Sequence, residues 1–260
     1  MRFLFLGDIV GRPGREAVAA ALPALREREG IDFVLANAEN ASGGLGLSPK
    51  CGRELLAAGI DVLTSGNHIW KFRDIPALLA ETDRLLRPAN FPDPAPGRGV
   101  GVYRLPGLAP VAVLNLQGRT FMQPLDCPFA AAERILAALP AEATIRILDF
   151  HAEATSEKIA LVLHLDGRIS AVLGTHTHVQ TADARLLPKG TAYVTDLGMC
   201  GPRDSCLGME AESIVRRFMT GLPERFEVAA GPVVLQGAIF DIEDSTGTAL
   251  CIRTWQAGGF

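Results

Sequence analysis

A length of 260 residues, a net charge of −4 and a hydrophobic fraction of 48% indicate a folded protein of one large domain or two small ones. The acidic balance argues against a broad basic surface for long nucleic acids, although a bound metal could still attract small phosphorylated ligands. No apolar run reaches the roughly 20 residues of a membrane span. Five cysteines without a CxxC pair indicate reduced thiols, so we expect a soluble cytoplasmic protein without cysteine zinc ligands.

Short apolar runs alternate along the chain with segments of helical spacing. The apolar runs predict buried strands at residues 3–6, 33–36, 62–64, 111–116, 145–149, 171–174 and 192–195. The helical spacing predicts helices at residues 14–29, 49–58, 73–80, 129–139, 156–163 and 210–219. Ser48 is predicted to cap the second of these helices, and Thr155 with Ser156 the fifth. Repeated strand–helix alternation favours an α/β fold built around packed sheets.

Three regions depart from this alternation. Residues 88–107 are rich in proline and glycine and are predicted to be mostly loop. Residues 199–202 are predicted to be a loop that lines a pocket or packs beside it. Residues 226–253 predict two or three antiparallel strands, with a turn at residues 243–247.

Polar residues that suit metal coordination follow five of the predicted strands. They are Asp8, Glu39 with Asn40, Asn67 with His68, His151, and His176 with His178. Each of them alone is explained as a turn, cap, loop or packed residue. As a set they offer good metal ligands at the place where parallel strands bring their C-terminal ends together.

The ligand types in this set indicate which ions it could bind. His176 and His178 are two residues apart after a predicted strand, so strand periodicity would send both rings to the same side. Imidazole, carboxylate and amide ligands without a thiolate suit Fe, Mn, Zn, Ni or Co. The set is too large for one tetrahedral site and fits two ions about 3.5–4 Å apart, with a carboxylate between them. Such a pair can hold a hydroxide as nucleophile and stabilise charge on a phosphoryl group.

In their order along the chain, these residues resemble the motifs of the calcineurin-like metallophosphoesterases. The motifs stand here as Gly7-Asp8, Asn37-Ala38-Glu39-Asn40, Gly66-Asn67-His68, His151 and His176-Thr177-His178. Glu39 replaces a bridging aspartate, Ile69 replaces an acid that supports the motif histidine, and Thr175 replaces a glycine. With these departures, and with the stretches 149–158, 174–183 and 193–201, nearly the whole chain resembles the YmdB-like phosphodiesterases.

The resemblance implies a four-layer α/β/β/α sandwich forming a single metallophosphoesterase domain, residues 1–260, and a homo-oligomer. It also implies two metal ions per chain, for which we expect iron or manganese, with Glu39 bridging them. The other implied ligands are Asp8, Asn40 and His178 for the first ion, and Asn67, His151 and His176 for the second.

The resemblance further implies that His68 is the catalytic residue that protonates the leaving oxygen. General acid catalysis of this kind contributes about 10²–10⁴-fold to the rate. Because Ile69 stands where an acid normally supports this histidine, we expect a bound phosphate or a backbone carbonyl to orient His68.

Three functions are compatible with this site. The first, implied by the resemblance, is a metal-dependent phosphodiesterase of the 2′,3′-cyclic-nucleotide 2′-phosphodiesterase type, acting on 2′,3′-cyclic phosphates, 3′,5′-cyclic AMP or both. The second is a general phosphomonoesterase with the same site. The third is a metal-containing regulatory or RNA-associated protein whose role needs no turnover. For the first two, the expected partner is a small phosphoester and neither a membrane nor a long nucleic acid.

Further residues have weaker claims to a role in the site. Arg12, Lys71 and Lys158 could contact phosphate, although a solvated surface charge is the simpler explanation for each. Asp149 and Thr177 could support the imidazoles, with packing or capping as the alternative.

Overall fold

The computed structural model describes residues 1–259, and Phe260, the last residue of the predicted domain, lies outside the described residues. The described chain forms thirteen strands: β1 (Arg2–Leu6), β2 (Asp8–Ile9), β3 (Phe33–Asn37), β4 (Val62–Thr64), β5 (Val100–Tyr103), β6 (Val111–Gln117), β7 (Ile145–His151), β8 (Ala171–Thr175), β9 (Arg185–Leu186), β10 (Ala192–Val194), β11 (Met199–Pro202), β12 (Val233–Ile242) and β13 (Ala249–Gly258). The same residues form six α-helices: α1 (Gly11–Glu29), α2 (Pro49–Ala57), α3 (Ile75–Glu81), α4 (Pro128–Ala138), α5 (Thr155–Leu165) and α6 (Ala211–Thr220).

The strands form two sheets, each with a parallel part. The first sheet has the order β2–β11–β12–β1–β3–β4, with β13 paired to β12, and its strands β1, β3 and β4 are parallel. The second sheet has the order β5–β6–β7–β8–β10–β9, with antiparallel strands at both edges and four parallel strands between them. Helical connections between parallel strands account for this arrangement.

Alternating side chains divide the core into three layers of contact. In β1, Phe3 and Phe5 face the second sheet, whereas Leu4 and Leu6 face the helices of the first sheet. The outer face of the second sheet packs against α4 and α5, and Leu161 of α5 is part of this contact. Helices therefore cover both outer faces of two stacked sheets, which confirms the predicted α/β/β/α sandwich.

Two strands occur where the sequence predicted loop. Strand β5 lies inside residues 88–107, where its short Val-Gly-Val-Tyr sequence is hidden among prolines and glycines that have a low strand propensity. Residues 199–202 form β11, which pairs with β2 and β12. A four-residue strand held by partners so far away in sequence leaves no local pattern. The C-terminal region forms two antiparallel strands, β12 and β13, as the sequence predicted.

The two predicted helix caps have different outcomes. The Ser48 side chain accepts a hydrogen bond from the Cys51 backbone at 3.3 Å, which confirms the first cap. The predicted cap at Thr155 and Ser156 is wrong, because both residues lie inside α5. The N-cap is Ala154, whose methyl side chain cannot accept a hydrogen bond. The extended backbone of Ala154 starts the helix one residue earlier than the hydroxyl pattern indicated.

The structure can be compared with two predictions from the sequence, reduced cysteines and the absence of a membrane span. All five cysteines are free thiols. None of the helices in residues 1–259 is long and apolar enough to cross a bilayer. The cytoplasmic location stays a prediction.

Candidate metal centre

Side chains from both sheets meet at the C-terminal ends of the parallel strands. Those from the first sheet follow β1, β3 and β4, and those from the second sheet end or follow β7 and β8. The side chains brought into one contact network are all eight predicted site residues: Asp8, Glu39, Asn40, Asn67, His68, His151, His176 and His178. The prediction that strand ends would bring these residues together is confirmed.

His151 is the centre of one group of donor atoms. Its Nε2 lies 3.1 Å from Asn67 Oδ1, 3.0 Å from His176 Nδ1 and 3.1 Å from Glu39 Oε1. The nearest donor atoms of Glu39, His151 and His176 all lie within 4.8 Å of one another. One ring nitrogen carries at most one hydrogen, so it can satisfy at most one of these neighbours. The converging lone pairs therefore fit a cation.

Asp8 and His178 belong to a second group, which Asn40 links to Glu39. His178 Nε2 lies 3.6 Å from Asp8 Oδ1 and 3.1 Å from Asn40 Nδ2. Asp8 is fully buried, burial raises the pKa of its carboxyl, and its Oδ1 has no hydrogen-bond partner among residues 1–259. A buried carboxylate oxygen without a donor is costly, and a cation would remove that cost. A 180° rotation of the Asn40 amide would turn its oxygen toward His178 and its N–H toward His68 Nδ1, so Asn40 would still contact the His68 ring.

A chain of hydrogen bonds sets the orientation of the His151 ring. The Thr175 hydroxyl donates to Asp149 Oδ1 at 2.6 Å, which leaves its oxygen to accept from His151 Nδ1 at 2.9 Å. A hydrogen on Nδ1 leaves the lone pair of Nε2 facing the candidate metal position. Asp149 thus supports an imidazole through Thr175, a residue whose role the sequence did not indicate.

The ionisable groups around His151 favour positive charge at this point. Burial lowers the pKa of His151, but Glu39, Asp8 and Asp149 outweigh it and raise that pKa to about 9. Burial would raise the pKa of Glu39, but His151 and His68 outweigh it and hold that pKa well below its usual range. Burial and the neighbouring His151 lower the pKa of His176 to about 3, so its ring is neutral. His176 and Glu39 are therefore in the forms that bind metals, a neutral imidazole and an ionised carboxylate, and a metal ion would displace the extra proton from His151.

His68 is oriented by side chains that the sequence did not indicate for this role. Its backbone N–H donates to Glu39 Oε2 at 3.0 Å, and its Nδ1 lies 2.9 Å from Asn40 Oδ1 and 3.2 Å from Glu39 Oε1. The expected orienting groups were a phosphate or a backbone carbonyl, and the structure replaces them with two neighbouring side chains. With Nδ1 engaged, the other ring nitrogen is left to face a substrate, and a quarter of the side chain is exposed.

The His176 and His178 rings are placed by a turn and not by strand alternation. Strand β8 ends at Thr175, and the two histidines have φ values of 102° and 63°. Strand periodicity therefore does not explain where the two rings point, because neither histidine lies in the strand. Positive φ is rare at histidine and persists where the surrounding structure holds it. His176 Nε2 also lies 3.2 Å from Glu153, whose role the sequence did not indicate.

Among the weaker candidates, Lys158 is not a phosphate contact and not a surface charge. It is fully buried, and its Nζ lies 2.8 Å from Asp196 Oδ2. Arg12 is exposed and 3.7 Å from Glu16. The phosphate roles of Arg12 and Lys71 stay predictions. Thr177 joins this network through its backbone, which donates to Asp196 at 3.1 Å.

Gly66 and Asn37 shape the site although neither was singled out as a site residue. A Cβ at Gly66 would lie 2.2 Å from His151 Cδ2 and 2.4 Å from Glu39 Oε2, so no larger residue fits there. The Asn37 side chain donates to Asp149 at 2.9 Å and accepts from the Glu39 backbone at 3.1 Å. Asn37 ends a buried strand, and that position was the available signal in the sequence.

Comparison with known proteins assigns the chain to a family. A family model described as YmdB-like protein matches residues 4–254, a span that includes all eight site residues. The chain belongs to the YmdB-like family. A curated relative, the 2′,3′-cyclic-nucleotide 2′-phosphodiesterase of Bacillus subtilis strain 168, is 50% identical over 253 residues, which cover 97% of this chain and 96% of the relative.

Two solved structures share the fold of this YmdB-like chain. A hypothetical protein from Thermus thermophilus has a TM-score of 0.93 and 43% identity, covering 99% of both chains. A novel phosphatase from Mycoplasma pneumoniae has a TM-score of 0.93 and 34% identity, covering 99% of this chain and 93% of the other. The arrangement of the sheets in this chain is therefore that of these two solved structures.

Proposed function

We propose that this chain is a dinuclear metal-dependent phosphodiesterase that hydrolyses cyclic nucleotides. The observation that carries the proposal is the convergence of Glu39, His151 and His176 donor atoms from both sheets within 4.8 Å of one another. The name of the Bacillus subtilis relative supports the substrate class. We infer 2′,3′-cyclic nucleotides as substrates, with 3′,5′-cyclic AMP as a further candidate.

Glu39 lies between the two groups of donor atoms and would contact both ions. The remaining donors would be Asp8, Asn40 and His178 for the first ion, and Asn67, His151 and His176 for the second. When bound, such ions supply a nucleophile from water at neutral pH and neutralise charge on the phosphoryl oxygens. Their imidazole, carboxylate and amide donors suit iron or manganese, which we expect here.

His68 would complete the reaction by moving one proton. Hydrolysis of a 2′,3′-cyclic phosphate adds the oxygen of water to phosphorus and breaks the bond from phosphorus to O2′. His68 donates a proton to that departing O2′, and the product is a 3′-phosphate. Glu39 and Asn40 hold the ring for this transfer through the contacts at its backbone N–H and Nδ1.

Metal analysis of the native protein, combined with a phosphoester screen, tests this function. The screen compares 2′,3′-cyclic nucleotides, 3′,5′-cyclic AMP and linear monoesters at matched metal content. We expect about two ions per chain and faster turnover of a cyclic diester than of a monoester. Full activity with fewer than two ions would refute the dinuclear site, and no turnover of any phosphoester would refute the enzyme.

A phosphomonoesterase is the second candidate function, because the Mycoplasma pneumoniae structure is described as a phosphatase. It would use the same side chains, so the site alone does not separate the two. A higher kcat/KM for monoesters than for cyclic diesters in the screen would favour it. The non-catalytic hypothesis instead predicts that Asp8→Asn abolishes hydrolysis and keeps the cellular role.

We further propose that the protein is a homo-oligomer that associates through α6. Within the described chain this helix buries no residue, and an apolar stripe of Val215, Phe218 and Met219 is exposed at helical spacing, with the exposed Leu222 just beyond the helix end. Glu212 lies in the first turn of α6 and Arg217 in the last. Antiparallel pairing with a second copy would place the acidic end of each helix beside the basic end of the other.

Introducing a polar residue into this stripe tests the association. We expect Phe218→Ser to lower the mass in light scattering to that of one chain, because Phe218 is 84% exposed and lies within the apolar stripe. The matched control is Leu250→Ser, an exposed apolar residue on β13, which should leave the mass unchanged. A wild-type protein that is monomeric at high concentration would contradict the proposal.

A further inference from the structure

A buried ion pair lies directly behind the candidate metal centre. Lys158 Nζ is 2.8 Å from Asp196 Oδ2, and each side chain is only 1% exposed. A buried ion pair gains little stability over apolar residues of the same size, because both charges lose their hydration. Its placement beside the metal ligands therefore calls for another explanation.

The pair fixes the backbone on both sides of His176. Lys158 Nζ donates to the carbonyl oxygen of Thr175 at 2.8 Å, and Asp196 Oδ2 accepts from the N–H of Thr177 at 3.1 Å. The backbone of His176 between these two bonds is in the positive-φ region, at 102°. Such a conformation at a non-glycine residue persists only where neighbouring groups impose it.

The same carboxylate is also linked to strand β2, which begins with Asp8. Asp196 Oδ1 accepts from the N–H of Gly198 at 2.9 Å, and the carbonyl of Gly198 accepts from the N–H of Asp8 at 3.1 Å. Asp8 Oδ2 in turn accepts from the N–H of His176 at 3.1 Å. These bonds close a loop between the first sheet, which carries Asp8, and the second sheet, which carries His176.

We propose that the Lys158–Asp196 pair is a positioning device that sets the ligands of both sheets at the spacing two metal ions require. This inference rests on the proposed metal-dependent function. Asp196 fixes the His176–His178 turn relative to the start of β2, and Lys158 neutralises that carboxylate and fixes the end of β8. Both residues bond to the backbone beside the proposed ligands and would act through Asp8, His176 and His178.

The test measures Mn²⁺ affinity in three variants that remove parts of the pair. Lys158→Met keeps the length of the side chain, Asp196→Asn keeps its shape, and the double variant leaves no unpaired buried charge. Lys50→Met and Asp204→Asn are matched controls at exposed positions. Isothermal titration of the metal-freed protein with Mn²⁺ gives the affinity, and circular dichroism gives the fold and its thermal stability.

We expect each variant to lose about 10–100-fold in Mn²⁺ affinity, the usual cost of disturbing groups that hold metal ligands. The double variant is decisive, because it should regain thermal stability over the single variants without regaining Mn²⁺ affinity. A pair with only a structural role predicts that affinity returns together with stability.

Two results would overturn the inference, and they are distinguishable. If the folded double variant binds Mn²⁺ within about twofold of a wild-type protein that itself binds two ions, the positioning role fails and the proposed function stands. If the wild-type protein binds no Mn²⁺ and no other divalent ion, the proposed function fails, and the positioning role fails with it.

Discussion

Glu39→Gln is expected to lower kcat for a cyclic nucleotide by more than about 10²-fold and to release metal from the protein. Changes to groups that only support metal ligands already cost about 10–100-fold in affinity or activity. Glu39 is closer to the candidate metal position than such supporting groups. Its Oε1 is 3.1 Å from His151 Nε2, a proposed ligand atom, and 3.2 Å from His68 Nδ1. Loss of its charge also removes one of the fully buried carboxylates that would attract a cation to the site.

The measurements are metal content per chain and single-turnover rates at saturating substrate. Glu142→Gln is the matched control, because Glu142 is exposed and forms an ion pair with the exposed Arg104 at 2.9 Å. It should keep both metal content and rate. A Glu39→Gln protein that retains two ions per chain and turns over at the wild-type rate would show that Glu39 is not a shared ligand.

The residues of the site could be predicted because a simple rule of sheet geometry places them. Asp8, Glu39, Asn67 and His151 each stand at the end of an apolar run. Parallel strands present their C-terminal ends at one edge, so polar residues at those ends must meet. The same apolar runs predicted the packed sheets of the α/β fold, since their alternation with helical segments admits few other arrangements.

The groups that hold the ligands in place could not be predicted in the same way. Lys158 lies on a helix, and its partner Asp196 is 38 residues away, so no local pattern links the two charges. The positive φ values of His176 and His178 are imposed by such distant contacts and not by histidine itself. Strand β11 likewise exists because β2 and β12 pair with it, and a run of four residues cannot show that.

His68→Ala is expected to have an effect that depends on the leaving group of the substrate. With a 2′,3′-cyclic nucleotide, the departing ribose oxygen is a poor leaving group, and loss of a general acid should lower kcat/KM by about 10²–10⁴-fold. With a nitrophenyl phosphodiester, the departing oxygen is stable without a proton, so kcat/KM should fall by less than about tenfold. The contrast between the two substrates identifies proton donation as the lost function.

Because the His68 ring contacts the Glu39 and Asn40 side chains through Nδ1, metal content is measured in parallel. We expect unchanged metal content, since the donor atoms that converge on His151 do not include the His68 ring. His164→Ala, at an exposed histidine that contacts Glu133, is the matched control and should leave both substrates unaffected. An equal loss with both substrates at full metal content would mean that His68 binds or orients the phosphoryl group and does not protonate the leaving oxygen.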